Sequence, residues 1–507
     1  MILSPSFRAG LFKKGSPLIS PSLVAVCRGI VGGASVVGFL SIASGLIDLT
    51  GSGEDTSKLL IFGTLITLFC AFLSGYIADV KLSKSEGLLG VTCGFVACIF
   101  TSSFVYLLIG EMNSFNDSLF ESSAAFTTTS LSILDVNTFG NGMLFFRSFS
   151  QLLGSFAAIL TAVIFLPISD QQHGSTFSEL KLDQMFLQKR IATIQTIALI
   201  HLVSIAVVTL LLSVGKMSFF DSLLMSLSAV STGGFTANSD FLTDPSVQWI
   251  LIVGMIVAGT SFLIIWRLVT GRFTSALRSS ELHTYLSLIT ISTILFYLWT
   301  NSGSHSSLRQ SLLFVSSSIS TTGFHFLPFG NWSVAASFLL LLLIAIGPMY
   351  LSGGGGFQIL RLRILFSVSI RELVRQLHPR AVVKIRVGKE IIADQNVRQV
   401  VVFQFLFLSI VFSTSLLLTL LGVSVYDAFV SSVNALTTAG PIRGVDGSII
   451  DVATFSPGER LALLPAMLSG RLYLLPVFVT LGYLLSESRN LVRPRRRYLR
   501  WKSSFKS

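Results

Sequence analysis

The sequence predicts an all-α polytopic membrane protein with ten transmembrane helices, eight of them in four pseudo-repeated helix–pore-loop–helix units around one central pore. Three observations predict it. The 507 residues are 51% hydrophobic and only 12% charged, against about 25% charged in soluble domains. Ten apolar runs are long enough to span a bilayer, which takes about 20 residues. Four short segments between those runs resemble one another, and each ends in a turn of small residues.

The runs lie at 22–47, 58–80, 87–110, 141–168, 191–215, 247–270, 281–301, 332–366, 398–422 and 460–486. The first two, with a basic N-terminal segment, make up 1–86 and stand outside the repeat. Unit 1 is then 87–168, unit 2 is 191–270, unit 3 is 281–366 and unit 4 is 398–486, with a basic loop at 367–397 and a basic tail at 487–507. The first run is too long for a signal-peptide core and reads as a retained span.

Charge placement gives the orientation. The net charge is +12, and most Lys and Arg fall in 1–21, 81–86, 267–281, 367–399 and 487–507. The alternate loops hold only Lys58, Lys216, Arg309, Arg443 and Arg460. This alternation puts both termini in the cytoplasm. Basic segments next to spans favour anionic membrane lipid as partner, and nucleic acid is not expected. Cys27, Cys70, Cys93 and Cys98 all lie in apolar runs with no metal-ligand spacing, so they read as packing residues.

The four related segments are Phe126-Thr127-Thr128-Thr129-Ser130, Val230-Ser231-Thr232-Gly233-Gly234, Ile319-Ser320-Thr321-Thr322-Gly323 and Leu436-Thr437-Thr438-Ala439-Gly440. Thr recurs at the third position, and Gly at the fifth except for Ser130. Irregular backbone at membrane depth survives only when buried in protein or lining a wet cavity. Four such loops in one chain therefore suggest one shared ring of carbonyls. None contains a carboxylate, His or Cys, which a divalent-ion site would normally recruit. Thr and backbone oxygens suit a monovalent cation near the size of K+, and Gly lets successive carbonyls turn inward.

A short helix is expected to lead into each loop. Asp117, Asp221 and Asp427 sit eleven residues before the shared Thr and are expected to cap these helices; Gln310 takes that offset in the third copy, where a weaker or displaced cap is expected. An outer acidic start would leave each negative helix end facing the cavity, which favours a cation. Glu121, inside the first short helix, reads either as a buried acceptor bracing the loop that follows, the favoured reading, or as an outer charge that attracts ions.

Two features bear on gating. Gly353-Gly354-Gly355-Gly356 interrupts the eighth run and predicts a flexible intramembrane loop below the ring, although close helix packing would also use small residues. Arg471 falls in the middle of the last run, where a charge normally faces a cavity or partner. It reads as an electrostatic barrier or latch.

In these motifs the chain resembles the Trk/Ktr/HKT superfamily of K+ transporters, its bacterial TrkH branch in particular. The match is carried by Phe120-Glu121, the four loops, the glycine run, Leu377-His378-Pro379-Arg380-Ala381-Val382 and Gly470-Arg471-Leu472, in family order over 87–486. The resemblance implies four K+-channel-like units around a selectivity filter, formed here by residues 127–130, 231–234, 320–323 and 437–440. It implies gated K+ uptake at the cytoplasmic (inner) membrane, a homodimer and a separate cytoplasmic nucleotide-binding regulatory subunit. Arg371, Arg375, Arg380, Lys384, Arg386 and Lys389 of the basic loop could dock that subunit or anionic lipid. Three residues depart from the family pattern. Ser130 replaces a Gly, and in plant relatives Ser there goes with Na+ preference, so Na+ permeation is also expected. Gln358 replaces a Lys after the glycine run, and Tyr473 replaces an acid after Gly-Arg-Leu.

Two other classes fit less well. A cation-coupled transporter of an organic solute would often use inverted repeats, whereas these all share one polarity. An enzyme would need clustered acids, His or a nucleophile, whereas His173, His201, His283, His305, His325 and His378 are scattered.

Overall fold

A computed structural model describes residues 21–51, 53, 55–77, 79–110, 112, 114–134, 139–165, 190–215, 217–236, 239–301, 307–324, 332–380, 384–387, 390–392, 394–440, 444 and 449–492. The basic N-terminal segment before 21, the tail beyond 492, Lys216, Lys389, Arg443, His173, His305 and His325 lie outside them, as do Ala381 and Val382.

The chain opens with α1 (Pro21–Asp48) and α2 (Thr56–Ser74). Unit 1 is α3 (Lys84–Ile109), α4 (Phe115–Thr127) and α5 (Asn141–Phe165). Unit 2 is α6 (Arg190–Ser213), α7 (Phe219–Val230), α8 (Pro245–Ala258) and α9 (Phe262–Val269), followed by the short α10 (Phe273–Leu277). Unit 3 is α11 (Ser280–Asn301), α12 (Leu308–Ile319), α13 (Val334–Ile346) and α14 (Ile359–Leu377). Unit 4 is α15 (Asp394–Leu420), α16 (Val425–Thr437), α17 (Pro457–Arg471) and α18 (Leu475–Val492). Between α14 and α15, β1 (Arg386–Val387) pairs antiparallel with β2 (Glu390–Ile391), a hairpin absent from the all-α expectation.

Among the described residues, seven helices are long and apolar enough to cross a membrane, or nine spans if two bent pairs count as one each. The sixth run is not one helix: α8 and α9 meet at 102°. There Gly259 lies under the Tyr285 hydroxyl, and the Gly259 carbonyl accepts from the Met349 amide. The last run also breaks, with 111° between α17 and its continuation. Tyr473 and Leu474 make that corner with φ of 58° each. The eighth run breaks as expected. Its first part, α13, stops at Gly347 with φ 70°, and its second part, α14, begins after Gln358.

The extra helices attach through glycines. Gly29 and Gly33 of α1 face Gly90 and Gly94 of α3, and a Cβ on Gly33 would overlap the Gly94 carbonyl. Such small-residue pairs let backbones approach where no hydrophobic force between helices exists. Asp48, buried at the end of α1, accepts from Thr56 Oγ1 at 2.9 Å and from the Gly142 amide at 3.1 Å. It thereby ties α1 to α2 and α5. Outward side chains such as Leu65, Leu68 and Phe72 of α2 are exposed, as suits a lipid-facing helix.

Candidate functional site

The four short helices α4, α7, α12 and α16 share one start. Ser114, Ser218, Ser307 and Ser424 are their N-caps, each accepting a backbone N–H through its hydroxyl. The expected Asp caps are therefore corrected. Asp117, Asp221, Gln310 and Asp427 stand at the third helical position, where an acid or amide reaches back toward the cap. Ser218 Oγ donates to Asp221 and Ser424 Oγ to Asp427, both at 2.7 Å. Gln310 completes a full capping box with Ser307, so the third copy is neither weak nor displaced. Asp117 instead pairs with Arg460 of α17, joining unit 1 to unit 4.

The four helices also share one end. Thr128, Thr232, Thr321 and Thr438 have φ of 55°, 56°, 58° and 54°. After each, the next amide bonds back to the fifth carbonyl before it: Thr129 to Ala124, Gly233 to Ser228, Thr322 to Ser317 and Ala439 to Asn434, at 2.9–3.0 Å. This is a Schellman-type ending with Thr where Gly is usual. A β-branched residue in the left-handed region is an outlier costing roughly 1–3 kcal/mol. Four matched outliers, all fully buried, mark one feature built four times.

The fifth positions meet at one point. A Cβ on Gly440 would collide with Ser130 Oγ and stand 2.5 Å from Gly323 Cα, and one on Gly234 would meet Ser130 Cβ. Gly234 and Gly323 also take φ of 72° and 79°. Ser130 has no positive φ, so the backbone there does not demand Gly. Its hydroxyl donates to the Gly323 carbonyl at 3.3 Å, a cross-unit contact that no Gly could make. Gln151 of α5 donates to the Gly233 carbonyl at 2.8 Å. Unit 1 thus reaches the backbone of units 2 and 3 with two side chains.

The glycine run lies against the threonines. Thr232 Oγ1 lies 3.0 Å from the Gly353 carbonyl, and the Gly355 amide donates to Thr321 Oγ1 at 3.0 Å. A Cβ on Gly355 would collide with the Thr437 carbonyl, and one on Gly354 with the Ser320 carbonyl. Gly356 has φ of 82°. Arg471 is buried at the end of α17, at the corner rather than mid-helix. It donates to the Gly353 carbonyl at 2.9 Å and to the Gly154 carbonyl at 3.2 Å. Gln358 and Tyr473, the two departures from the family pattern on either side of this loop, meet at 3.4 Å. Glu281 holds the same loop by accepting from the Tyr350 amide at 2.7 Å.

Glu121 is fully buried and accepts from Ser132 Oγ, from the Ile133 amide at 3.1 Å and from Arg147, 2.7 Å away. The chain leaving the first turn is held by this carboxylate. Arg147 also lies 3.7 Å over the Phe235 ring, one residue beyond the second turn. Sequence reasoning missed Arg147, Gln151 and Glu281. A charge inside an apolar run was the available signal for Arg147, since the same rule singled out Arg471. Gln151 and Glu281 carried no comparable signal. Pro441, next to the fourth turn, lies outside the described residues. Those residues hold no group of three His, Cys, Asp or Glu arranged for a metal ion.

The matched family and the shared fold are those of ion transporters, not of enzymes. The chain is similar to TrkH-type members of the Trk/Ktr/HKT superfamily. Residues 286–492 match the family described as TrkH, cation transport protein. An uncharacterized cation transporter of Methanocaldococcus jannaschii is 24% identical over 469 residues, covering 92% of this chain and 96% of that one. The Trk system potassium uptake protein TrkH of Salmonella typhimurium is 29% identical over 382 residues, 72% of this chain and 78% of that one. The crystal structure of the potassium transporter TrkH from Vibrio parahaemolyticus superposes with a TM-score of 0.81 at 21% identity, covering 90% of this chain and 98% of that one. That likeness establishes the fold.

Proposed function

We propose that the protein carries out gated uptake of K+, with Na+ also permeant, through the ring formed by the four Thr-centred turns. The observation that carries this reading is the set of four left-handed threonines at the ends of four capped helices. Carbonyl and hydroxyl oxygens alone can replace the hydration shell of a monovalent ion of this size. The lack of carboxylates in the turns argues against a divalent ion. The curated relatives named as potassium uptake proteins support K+ as the main cargo.

In this reading the glycine run 353–356 is the gate, held shut by Thr232 and Arg471 on the Gly353 carbonyl. Glu121, Asp117, Asp221 and Asp427 support the helices that aim the turns. A Na+-preferring variant of the same path is the second reading, favoured by the Ser130 hydroxyl on the Gly323 carbonyl. The protein then works in the cytoplasmic membrane with both termini inside, as a homodimer, with a separate nucleotide-binding regulatory subunit on the basic loop. Relatives named as parts of a Trk system support a multi-component assembly. Expression in cells lacking K+ uptake should restore growth at low K+. Failure to restore growth, with the protein present in the membrane, would count against K+ as cargo.

A further inference from the structure

An apolar cavity of about 420 Å³ lies between α6 and α8, outside the ring of turns. Its inner end is formed by Leu351, Ser352 and Gly353 of the glycine-run loop. Its mouth is rimmed by Val203, Val207, Trp249 and Val253, each about half exposed. These residues sit on membrane-spanning helices, so the mouth opens on hydrocarbon rather than on water.

Three polar side chains along its wall bond to nearby carbonyls. His201 Nδ1 lies 2.9 Å from the Ile197 carbonyl. Thr260 Oγ1 donates to Ile256 at 2.8 Å, and Ser352 Oγ to Met349 at 2.6 Å. A buried water needs two to four free polar partners, and this predominantly apolar wall favours an apolar occupant. The volume falls in the range of ligand sites, about 300–1,000 Å³. A second copy of the chain would cover the mouth without filling the inner end, where Leu351 is 1% exposed.

We infer that this cavity is a binding site for the acyl chain of a bilayer lipid, which enters between α6 and α8 and ends against Leu351 and Gly353. The site does not depend on the loop being a gate. Recognition is by apolar fit alone, so the lipid headgroup stays at the membrane surface and is not selected by the cavity.

The test uses the full chain in phosphatidylcholine vesicles containing a phosphatidylcholine with a photoactivatable diazirine on its acyl chain. After irradiation, labelled residues are mapped by mass spectrometry. Label is expected on Leu351–Gly353, as well as on the exposed α2 face at Leu65 and Leu68. In Gly254→Leu the loop label should be lost and the α2 label kept. A Cβ there would meet only Val208 methyls, at 3.5 and 4.0 Å, so the added side chain has the cavity to occupy. Val207→Trp at the mouth is a second blocking variant should the first fail to fold. Wild-type protein labelled on α2 but not on the loop would overturn the proposal, whether the cavity is empty or covered by a second copy. Loop label that survives in both blocked variants would overturn it equally, because the chain would have arrived by another route.

Discussion

Ser130 is the residue at which the ring departs from four-fold equivalence. Its hydroxyl occupies the point where the other three units place a glycine, and it reaches the Gly323 carbonyl. A carbonyl that accepts from a hydroxyl is less free to turn toward an ion. Ser130→Gly should therefore raise the K+/Na+ permeability ratio, read from reversal potentials in mixed K+ and Na+. An unchanged ratio removes Ser130 from the selectivity argument. Glu121 and Arg147 form a buried ion pair on the exit from the first turn, with side chains 0% and 3% exposed. Removing one partner leaves an uncompensated charge, which costs about 3–5 kcal/mol. Arg147→Met should lower thermal stability by that order, and adding Glu121→Gln should recover part of it. Equal losses in the single and double variants, measured by thermal unfolding in detergent, would show that the pair does not hold the turn. Glu121 stood out in the sequence as a carboxylate inside a short apolar helix, but its partner did not, because pairing across 26 residues is a tertiary fact.

The short helices were legible as elements, and their caps were legible in part. The eleven-residue offset from Asp to Thr is real, but the same regularity holds for Ser fourteen residues before each Thr. Ser followed three residues later by an acid or amide is the stronger start signal. It would have covered the third copy, where Gln310 looked anomalous. The glycine run was legible as a break because four successive Gly cannot sustain a helix. The other two breaks were not. Tyr473 and Leu474 are ordinary helix residues that take φ of 58° at the corner, which nothing in their type signals. The Gly259–Ser261 corner is fixed by bonds to the glycine-run loop, Met349 to Gly259 and Gly353 to Ala258. Both of these breaks adjoin that loop, so the loop and its supports form one assembly. Shortening Gly353–Gly356 should raise Rb+ flux when no regulatory subunit is present. Lower or unchanged flux from a folded variant would favour the helix-packing reading.

At the scale of the whole molecule, hydropathy gave the number of apolar runs but not their continuity. A run of 20 or more apolar residues shows that a segment suits the bilayer; it does not show that it is one straight helix. The pseudo-repeat was more informative, because four turns with one geometry require one shared centre. The central claim is that this centre passes monovalent cations of K+ size down their gradient. Purified protein in liposomes, assayed for Rb+ and Na+ flux without any added coupling ion, tests it most directly. Rb+ influx driven by its own gradient, with smaller but measurable Na+ flux, is the expected result. Absence of both fluxes from correctly inserted protein would contradict the account.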